Sequence, residues 1–500
     1  MDLFQNLSLG FSVALLPQNL LYCFLGTFLG TVIGVLPGIG PLATIAMLLP
    51  ATFGLPPTAS LIMLAGIYYG SQYGGSTTAI LLNMPGESSS AVTTIDGYRM
   101  ARQGRAGPAL AAAGLGSFFA GTIATILIAV VAQPLTAVAL SFGPAEYFSL
   151  LIVGLVSSTA LASGSIIKAV GMIGLGLLLG LTGTDIYTGA QRFTFGSREL
   201  FDGFDFVAIA VGVFGVSEIL RNLESADVKK SIVTNVGSLI PTAEDFRRMI
   251  WPALRGTAIG SFLGILPGGG ALLSSFVAYN IEKKVSPRSE EFGKGAIEGV
   301  TAPEAANNAG AQTSFIPMLS LGVPSNVVMA LMIGAMIIQG ITPGPNVIAK
   351  NPDLFWGLIA SMWVGNAMLI ILNLPLVGMW VKLLSVPYTI LFPAIISFCC
   401  IGVYSVNSAP FAVFEIAGAG LLGYFLVKLD CELAPFILGF ILGPMLEEYL
   451  RRAMIISGGS PMVFVTRPIS AALLVVALAA LIFVCLPAIS KKREEVFVES

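Results

Sequence analysis

The sequence predicts an all-α integral membrane protein with about 10–12 transmembrane helices plus broken or re-entrant hairpins, in two inverted-topology repeats. Three observations carry this. The 500 residues are 55% hydrophobic and only 10% charged, against roughly 25% charged for a soluble domain. Apolar runs of membrane-spanning length recur along the chain without the every-second-residue alternation of a membrane β-barrel. The first half of the chain is also written again, in altered form, in the second.

The elements follow in chain order. Residues 1–18, "MDLFQNLSLGFSVALLPQ", lack the basic start and small-residue cleavage site of a signal peptide and read as a short interfacial helix. A first repeat occupies 19–222, with uninterrupted apolar spans at 109–133, 138–160, 165–184 and 205–221. The polar stretch 223–249 is a cytoplasmic linker. A second repeat occupies 250–467, with spans at 354–381, 386–404, 408–427 and 433–449, and residues 468–500 form a last span and a cytoplasmic tail. Cys23, Cys399, Cys400, Cys431 and Cys485 lie in or beside apolar spans without metal spacing and read as ordinary helix residues. A net charge of -2 gives no reason to expect nucleic acid as a partner. The chain has no histidine, which removes the usual imidazole proton relay and zinc ligand.

Ordered matches identify the duplication. "GTFLGTVIGVLPGIG" (26–40) aligns without gaps to "GTAIGSFLGILPGGG" (256–270), "LLNMPGESS" (81–89) lies opposite "SLGVPSNVV" (320–328), and "QGRAGP" (103–108) opposite "QGITPGP" (339–345). Charge shows which way each copy faces. In the first, the loop after LPGIG (50–58) is uncharged and the later loop carries Arg99, Arg102 and Arg105. In the second, the segment after LPGGG carries Lys283, Lys284, Arg288 and Lys294, and the later one only Lys350. Since positively charged loops stay cytoplasmic, the copies face opposite ways. This topology places the C-terminus inside and leaves Arg192, Arg198, Arg451 and Arg452 at the outer edge, against the rule.

The LPGIG and LPGGG interruptions sit where continuous helix is expected. Non-helical backbone survives at membrane depth only when buried in protein or lining a wet cavity, and paired interruptions in two copies point to a transport site. Helices restarting after them present N–H groups and a positive dipole end that suit an anion, while carbonyls ending the preceding helices suit a cation such as Na⁺. Each copy has a second, more polar break, at 68–90 and 307–328. Its hydroxyls and amides can donate to a carboxylate without burying a permanent positive charge, although such groups also join helices through ordinary hydrogen bonds. The expected substrate groups are therefore Gly38, Gly40, Thr77, Thr78, Asn83, Ser88, Gly268, Gly270, Ser325 and Asn326. Glu87 and Glu304 lie within the breaks and are the coupling-ion candidates, as proton carriers or Na⁺ ligands. Asp96, Glu146, Asp185, Glu415 and Asp430 fall at or near span ends and read as caps or interfacial charges. No metal site is expected beyond Na⁺ at the breaks, and no cofactor beyond Na⁺ as coupling ion.

The runs "GVLPGIGP", "YYGSQYGGSTTAILLNMPGE", "GILPGGGALLSSF" and "EGVTAPEAANNAGAQTSFIPMLSLGVPSN" resemble the large membrane subunit of the tripartite tricarboxylate transporter family, over about 15–490. The resemblance implies a multi-pass carrier of the bacterial inner membrane with two partners: a smaller membrane subunit of about four helices and a periplasmic solute-binding protein. It further implies import of citrate-like di- or tricarboxylates, driven by an ion gradient rather than ATP. An anion channel is the first rival, because broken helices also build selectivity filters. An intramembrane enzyme is the second, but no histidine activates any of its serines and no Ser–Lys pair stands out.

Overall fold

A computed structural model of the chain describes residues 3–36, 40–160, 165–185, 187–224, 236–266, 270–383, 388–407 and 409–485. Gly38, Gly268, the linker lysines at 229 and 230 and the C-terminal tail lie outside the described residues.

The chain opens with α1 (Leu3–Ala14) and α2 (Pro17–Val35). Leu36 is extended (ψ 116°) and begins the first interruption, after which α3 (Pro41–Leu48) restarts from Gly40. α4 (Pro57–Leu82) ends at Asn83, whose left-handed backbone (φ 57°) stops the helix. Short turns lead into α5 (Ala106–Ala139), α6 (Pro144–Ala160) and α7 (Ile166–Gly180). The two-residue strands β1 (Gly183–Thr184) and β2 (Gln191–Arg192) pair antiparallel, the only sheet among the described residues, before α8 (Phe206–Glu224). The second half runs through α9 (Ala243–Ile265), α10 (Ala271–Val285), α11 (Glu298–Thr313), α12 (Phe315–Leu321) and α13 (Val327–Ile338). It finishes with α14 (Pro352–Asn373), α15 (Tyr388–Asn407), α16 (Phe411–Lys428), α17 (Leu433–Ile456) and α18 (Pro468–Cys485). Proline opens α2, α3, α4, α6, α14 and α18, in the first turn, where its missing N–H leaves no intrahelical bond unmade.

The protein is thus an all-α membrane protein. Six of its described helices are long and apolar enough to cross a bilayer: Pro17–Val35, Ala101–Ala139, Phe206–Glu224, Pro352–Asn373, Phe411–Lys428 and Leu433–Ile456. The number is below the sequence expectation because several apolar helices, among them α6 and α7, are shorter than 18 residues. The span expected at 354–381 ends at Asn373, and a separate helix, Val377–Leu383, follows it. α9 begins at Ala243, inside the stretch read as linker, because Thr242 and Asp245 form a reciprocal capping box there.

Two helix pairs form the centre and they pack alike. Gly26, Gly30 and Gly34 of α2 lie against the carbonyls of Met63, Ile67 and Ser71 of α4, so closely that a Cβ at any of them would collide with backbone. In the second half Gly256, Gly260 and Gly264 of α9 lie in the same way against Ala302, Ala306 and Gly310 of α11. Each of the three glycines stands 230 positions after its counterpart. In a bilayer, small residues at four-residue spacing allow such close approach, and van der Waals contact then holds the helices.

The order of contacts gives the directions. α2, α4 and α14 run one way: Gly357 of α14 meets Thr58, and Gly365 meets Thr27. α9, α11 and α5 run together, since Gly116 of α5 meets Thr301 and Gly121 meets Gln312. α5 and α14 are antiparallel, as Gly114 meets Leu374 whereas Trp363 donates to Thr122 O (3.3 Å). The α2–α4 pair is therefore antiparallel to the α9–α11 pair.

Consequently α3 and α10 leave the centre toward opposite ends. At one end the loop after α3 meets the loop after α13, where Gln339 Nε2 donates to Thr52 O (3.0 Å). At the other, the loop after α10 meets the 94–105 segment: Gln103 Nε2 donates to Lys294 O (2.8 Å), and Arg105 pairs with Asp245 (2.5 Å). Arg99, Arg102, Arg247, Arg248, Lys283, Lys284 and Arg288 gather at this second, basic end.

Candidate functional site

The four interruptions of the two halves meet around one cavity of about 310 Å³. From the first half it is bordered by Gly40 and Pro41, and by Glu87, Ser88 and Ser89. The second half contributes Ala271 and Leu272, and the run Pro324–Val328. Tyr68 and Gln72 of α4 form part of the wall, and Glu432, Ala434 and Leu438 at the start of α17 close it.

Besides α17, three helices begin at this cavity. α3 starts from Gly40 and α10 from Gly270, neither with a side-chain cap, so their first-turn N–H groups carry the positive helix end. Gly270 has φ 81°, and a Cβ there would meet the Asn326 amide at 2.9 Å, so glycine is needed on both counts. α13 is capped by Asn326, which accepts from Met329 N (3.0 Å) and donates to Ser314 Oγ (2.9 Å).

Glu87 is the one charged side chain of the first half in the wall, and it is only 6% exposed. Its carboxylate accepts from Ser89 Oγ (2.5 Å) and Asn307 Nδ2 (3.0 Å), and the Gln72 side-chain amide lies against it, able to donate once its nitrogen is turned toward the carboxylate. Three neutral donors support a charge here without a permanent counter-cation, the arrangement open to a mobile Na⁺ or a proton. Glu304, one turn before Asn307 on α11, lies outside the cavity lining and accepts from Ser76 Oγ (2.6 Å) and Thr93 Oγ1. The two carboxylates are therefore linked through α11 but differ in access.

The family model of the Tripartite tricarboxylate transporter TctA family matches residues 20–438. The chain belongs to the tripartite tricarboxylate transporter TctA family. This is a transporter family and not an enzyme family, and its three-part organisation implies partner subunits and a solute-binding protein. The chain is 63% identical over 499 residues, 100% of its length and 99% of the relative's, to an Agrobacterium vitis protein described as an uncharacterized 52.8 kDa protein in the TAR-I ttuC' 3' region. It is 61% identical over 240 residues, 48% of its own length and 99% of the relative's, to an Agrobacterium vitis protein described as uncharacterized in the TAR-II ttuC' 3' region. No solved structure matches it.

In this TctA-family chain the expected site residues divide into three groups. Gly40, Glu87, Ser88, Ser325 and Asn326 line the cavity, and Gly270 adjoins it. Thr78 is buried and holds the interruption itself, donating to Val35 O (2.7 Å), the last carbonyl of α2. Ser314 does the same for α9, donating to Gly264 O (3.1 Å). Thr77 and Asn83 are not in the lining: Thr77 Oγ1 bonds back to Tyr73 O (3.3 Å), and Asn83 is exposed at the end of α4. Sequence reasoning missed Tyr68 and the α17 wall. Nothing in the α17 sequence marks it as adjacent to breaks more than 100 residues away.

Proposed function

We propose that this chain is the translocating subunit of a three-part importer that carries a di- or tricarboxylate inward, coupled to the gradient of Na⁺ or H⁺. The observation that carries the reading is the convergence of four chain interruptions, two from each half, on one cavity with uncapped helix N-termini and a buried carboxylate. Its volume of about 310 Å³ lies at the lower end of the roughly 300–1,000 Å³ of small-molecule sites. The antiparallel α2–α4 and α9–α11 pairs support an inverted repeat. The basic end is cytoplasmic by the bias of arginine and lysine, so the opposite end faces the periplasm of a bacterial inner membrane.

In operation, the solute-binding protein and the small membrane subunit deliver the carboxylate from the periplasmic end. Substrate oxygens accept from the N–H groups at the starts of α3 and α10, from Ser88, and from Ser325 and Asn326. A substrate carrying two or three negative charges beside Glu87 requires neutralisation, which a co-transported cation supplies. That cation binds Glu87 and the carbonyls of the interrupted helices, with Glu304 as a second carrier within the protein. One part of each half moving against the remainder would then expose the cavity to each side in turn.

The test is uptake into vesicles holding both membrane subunits, supplied with the solute-binding protein and a panel of carboxylates, with Na⁺ and pH gradients imposed separately. Saturable uptake that follows one of the gradients is expected. Glu87→Gln should reduce coupled uptake by about tenfold or more, in keeping with a functional intramembrane carboxylate. Unchanged kinetics in that variant would remove Glu87 from the coupling step, and gradient-independent, non-saturating flux would point to a channel instead.

A further inference from the structure

The segment between α7 and α8 stands at the end opposite the basic loops, since Phe206 at its exit meets Gly334 of α13, whose following loop carries Gln339, and it is fastened unusually firmly. β1 pairs with β2, and Thr184 holds Phe201 O through both its N–H (2.8 Å) and its hydroxyl (2.9 Å). Asp185 is buried and accepts from Tyr187 N (2.9 Å), Thr188 Oγ1 (2.9 Å) and Arg451 Nη2 (2.8 Å). Arg192 reaches Asp185 (3.7 Å) and donates to both oxygens of Glu447 (3.0 and 2.9 Å), while Arg451 also meets Glu447 (2.6 Å). Two acids and two arginines thus close a ring that binds the loop to α17. The arginines that stood against the topology rule at 192 and 451 are parts of this fastening, and Arg452 pairs with Glu448 (2.5 Å).

On this base the chain displays two phenylalanines. Phe193 (φ 54°) and Phe195 (φ 50°) both have left-handed backbone, a strained state for a bulky side chain. Phe193 is 51% exposed and Phe195 93%, so Phe195 gains almost no packing within the chain in return. Strain maintained to present an apolar ring on a rigid loop is the mark of a binding surface. Charged and polar residues follow Phe195 closely in the chain: Ser197, which is half-buried, and the exposed Arg198, Glu199 and Asp202 lie within seven residues of it. That density of polar groups is incompatible with seating the loop in hydrocarbon, and an aromatic centre inside a charged rim is the composition of a protein–protein contact.

We propose that the loop 187–201 is the docking seat of the solute-binding protein, with Phe195 as its anchor and Phe193 beside it. The inference rests on the three-part importer reading, because the partner arriving at this end in such a system is the soluble one that carries substrate. The seat is also joined to the cavity: α17 holds Glu447 and Arg451 at one end and places Ala434 and Leu438 in the cavity wall at the other. Contact at Phe195 therefore bears on the same helix that bounds the substrate.

The experiment titrates substrate-loaded solute-binding protein against vesicles containing both membrane subunits, with the chain wild-type, Phe195→Asp, Phe195→Ser or Lys350→Ala. The two Phe195 variants are expected to raise the half-saturating concentration of binding protein at least tenfold, with the maximal rate kept, while Lys350→Ala changes neither. In a second arm, a photo-crosslinking benzoylphenylalanine at position 195 should capture the binding protein. If the wild-type requires the binding protein but the Phe195 variants saturate at its normal concentration, or if position 195 crosslinks only to lipid or the small subunit, the seat is refuted and the importer reading stands. If wild-type uptake is indifferent to the binding protein, both are refuted.

Discussion

Asp96 shows how much a single residue can hold. Its buried carboxylate accepts from the N–H groups of Gly293 (2.8 Å), Gly295 (2.8 Å) and Ala296 (3.0 Å) and from Tyr279 OH (2.9 Å), all in the other half of the chain. A sequence position near a span end suggested a local cap. The structure instead makes it a tie between the 94–98 segment and the loop after α10, because backbone donors from a tight loop converge on one oxygen. Asp96→Asn keeps the size but removes the charge and turns an amide against those donors. A loss of about 2 kcal/mol is expected, since hydrogen bonds to a charged group contribute roughly 1.5–3 kcal/mol each, measured as a lowered unfolding midpoint in detergent. Asp185 allows a pH statement. The Tyr187 N–H, with Thr188 and Arg451, holds its carboxyl down at about 2, below the ordinary 3.8. A depressed carboxyl contributes stability that is fully present above its ordinary value and is lost as pH falls through the folded one. The loop should therefore stay closed from neutrality to about pH 4 and open toward pH 2, which hydrogen exchange of the 187–201 segment would follow.

At the scale of elements, the glycine faces decide which helices can touch. A side chain at Gly30 would meet the backbone of Ile67, and one at Gly260 the backbone of Ala306, and neither backbone can withdraw. Gly30→Leu and Gly260→Leu should each destabilise by about 1–3 kcal/mol or more through overpacking, seen as loss of folded protein in thermal scans. Gly40→Ala has open space around it and should fold normally, so any effect on uptake would come from the cavity. The same elements show what could be read in advance. The paired LPGIG and LPGGG interruptions were legible because proline and glycine in an apolar run contradict a continuous helix. The start of α9 was equally visible in the T-x-x-D spacing of Thr242 and Asp245, but composition concealed it by making the stretch look like linker. The polar break in the first half was legible only as a cluster: which hydroxyls face the cavity, such as Ser88, and which hold backbone, such as Thr78, depends on helix rotation.

Taken whole, the molecule puts its two central helix pairs head to foot and its basic loops at one end. A topology test follows: single cysteines placed at Gln103 and Lys294 should react with impermeant reagent only from the cytoplasmic side, and cysteines at Ser197 and Lys350 only from the outside. Labelling of positions 103 and 197 from the same side would overturn the orientation.

By itself the sequence determined that this is a helical membrane protein, where its helices break, and that its motifs place it with the tricarboxylate transporters. These are matters of composition, order and local backbone chemistry, which act within a few residues or repeat along the chain. Only the tertiary structure decided that all four interruptions share one cavity, that Glu87 faces it while Glu304 does not, that α17 supplies its far wall, and that the outlying arginines fasten a loop. Those outcomes depend on how helices separated by hundreds of residues rotate and pack, and helix packing in a bilayer is set by shape at the contact rather than by any signal carried in one segment.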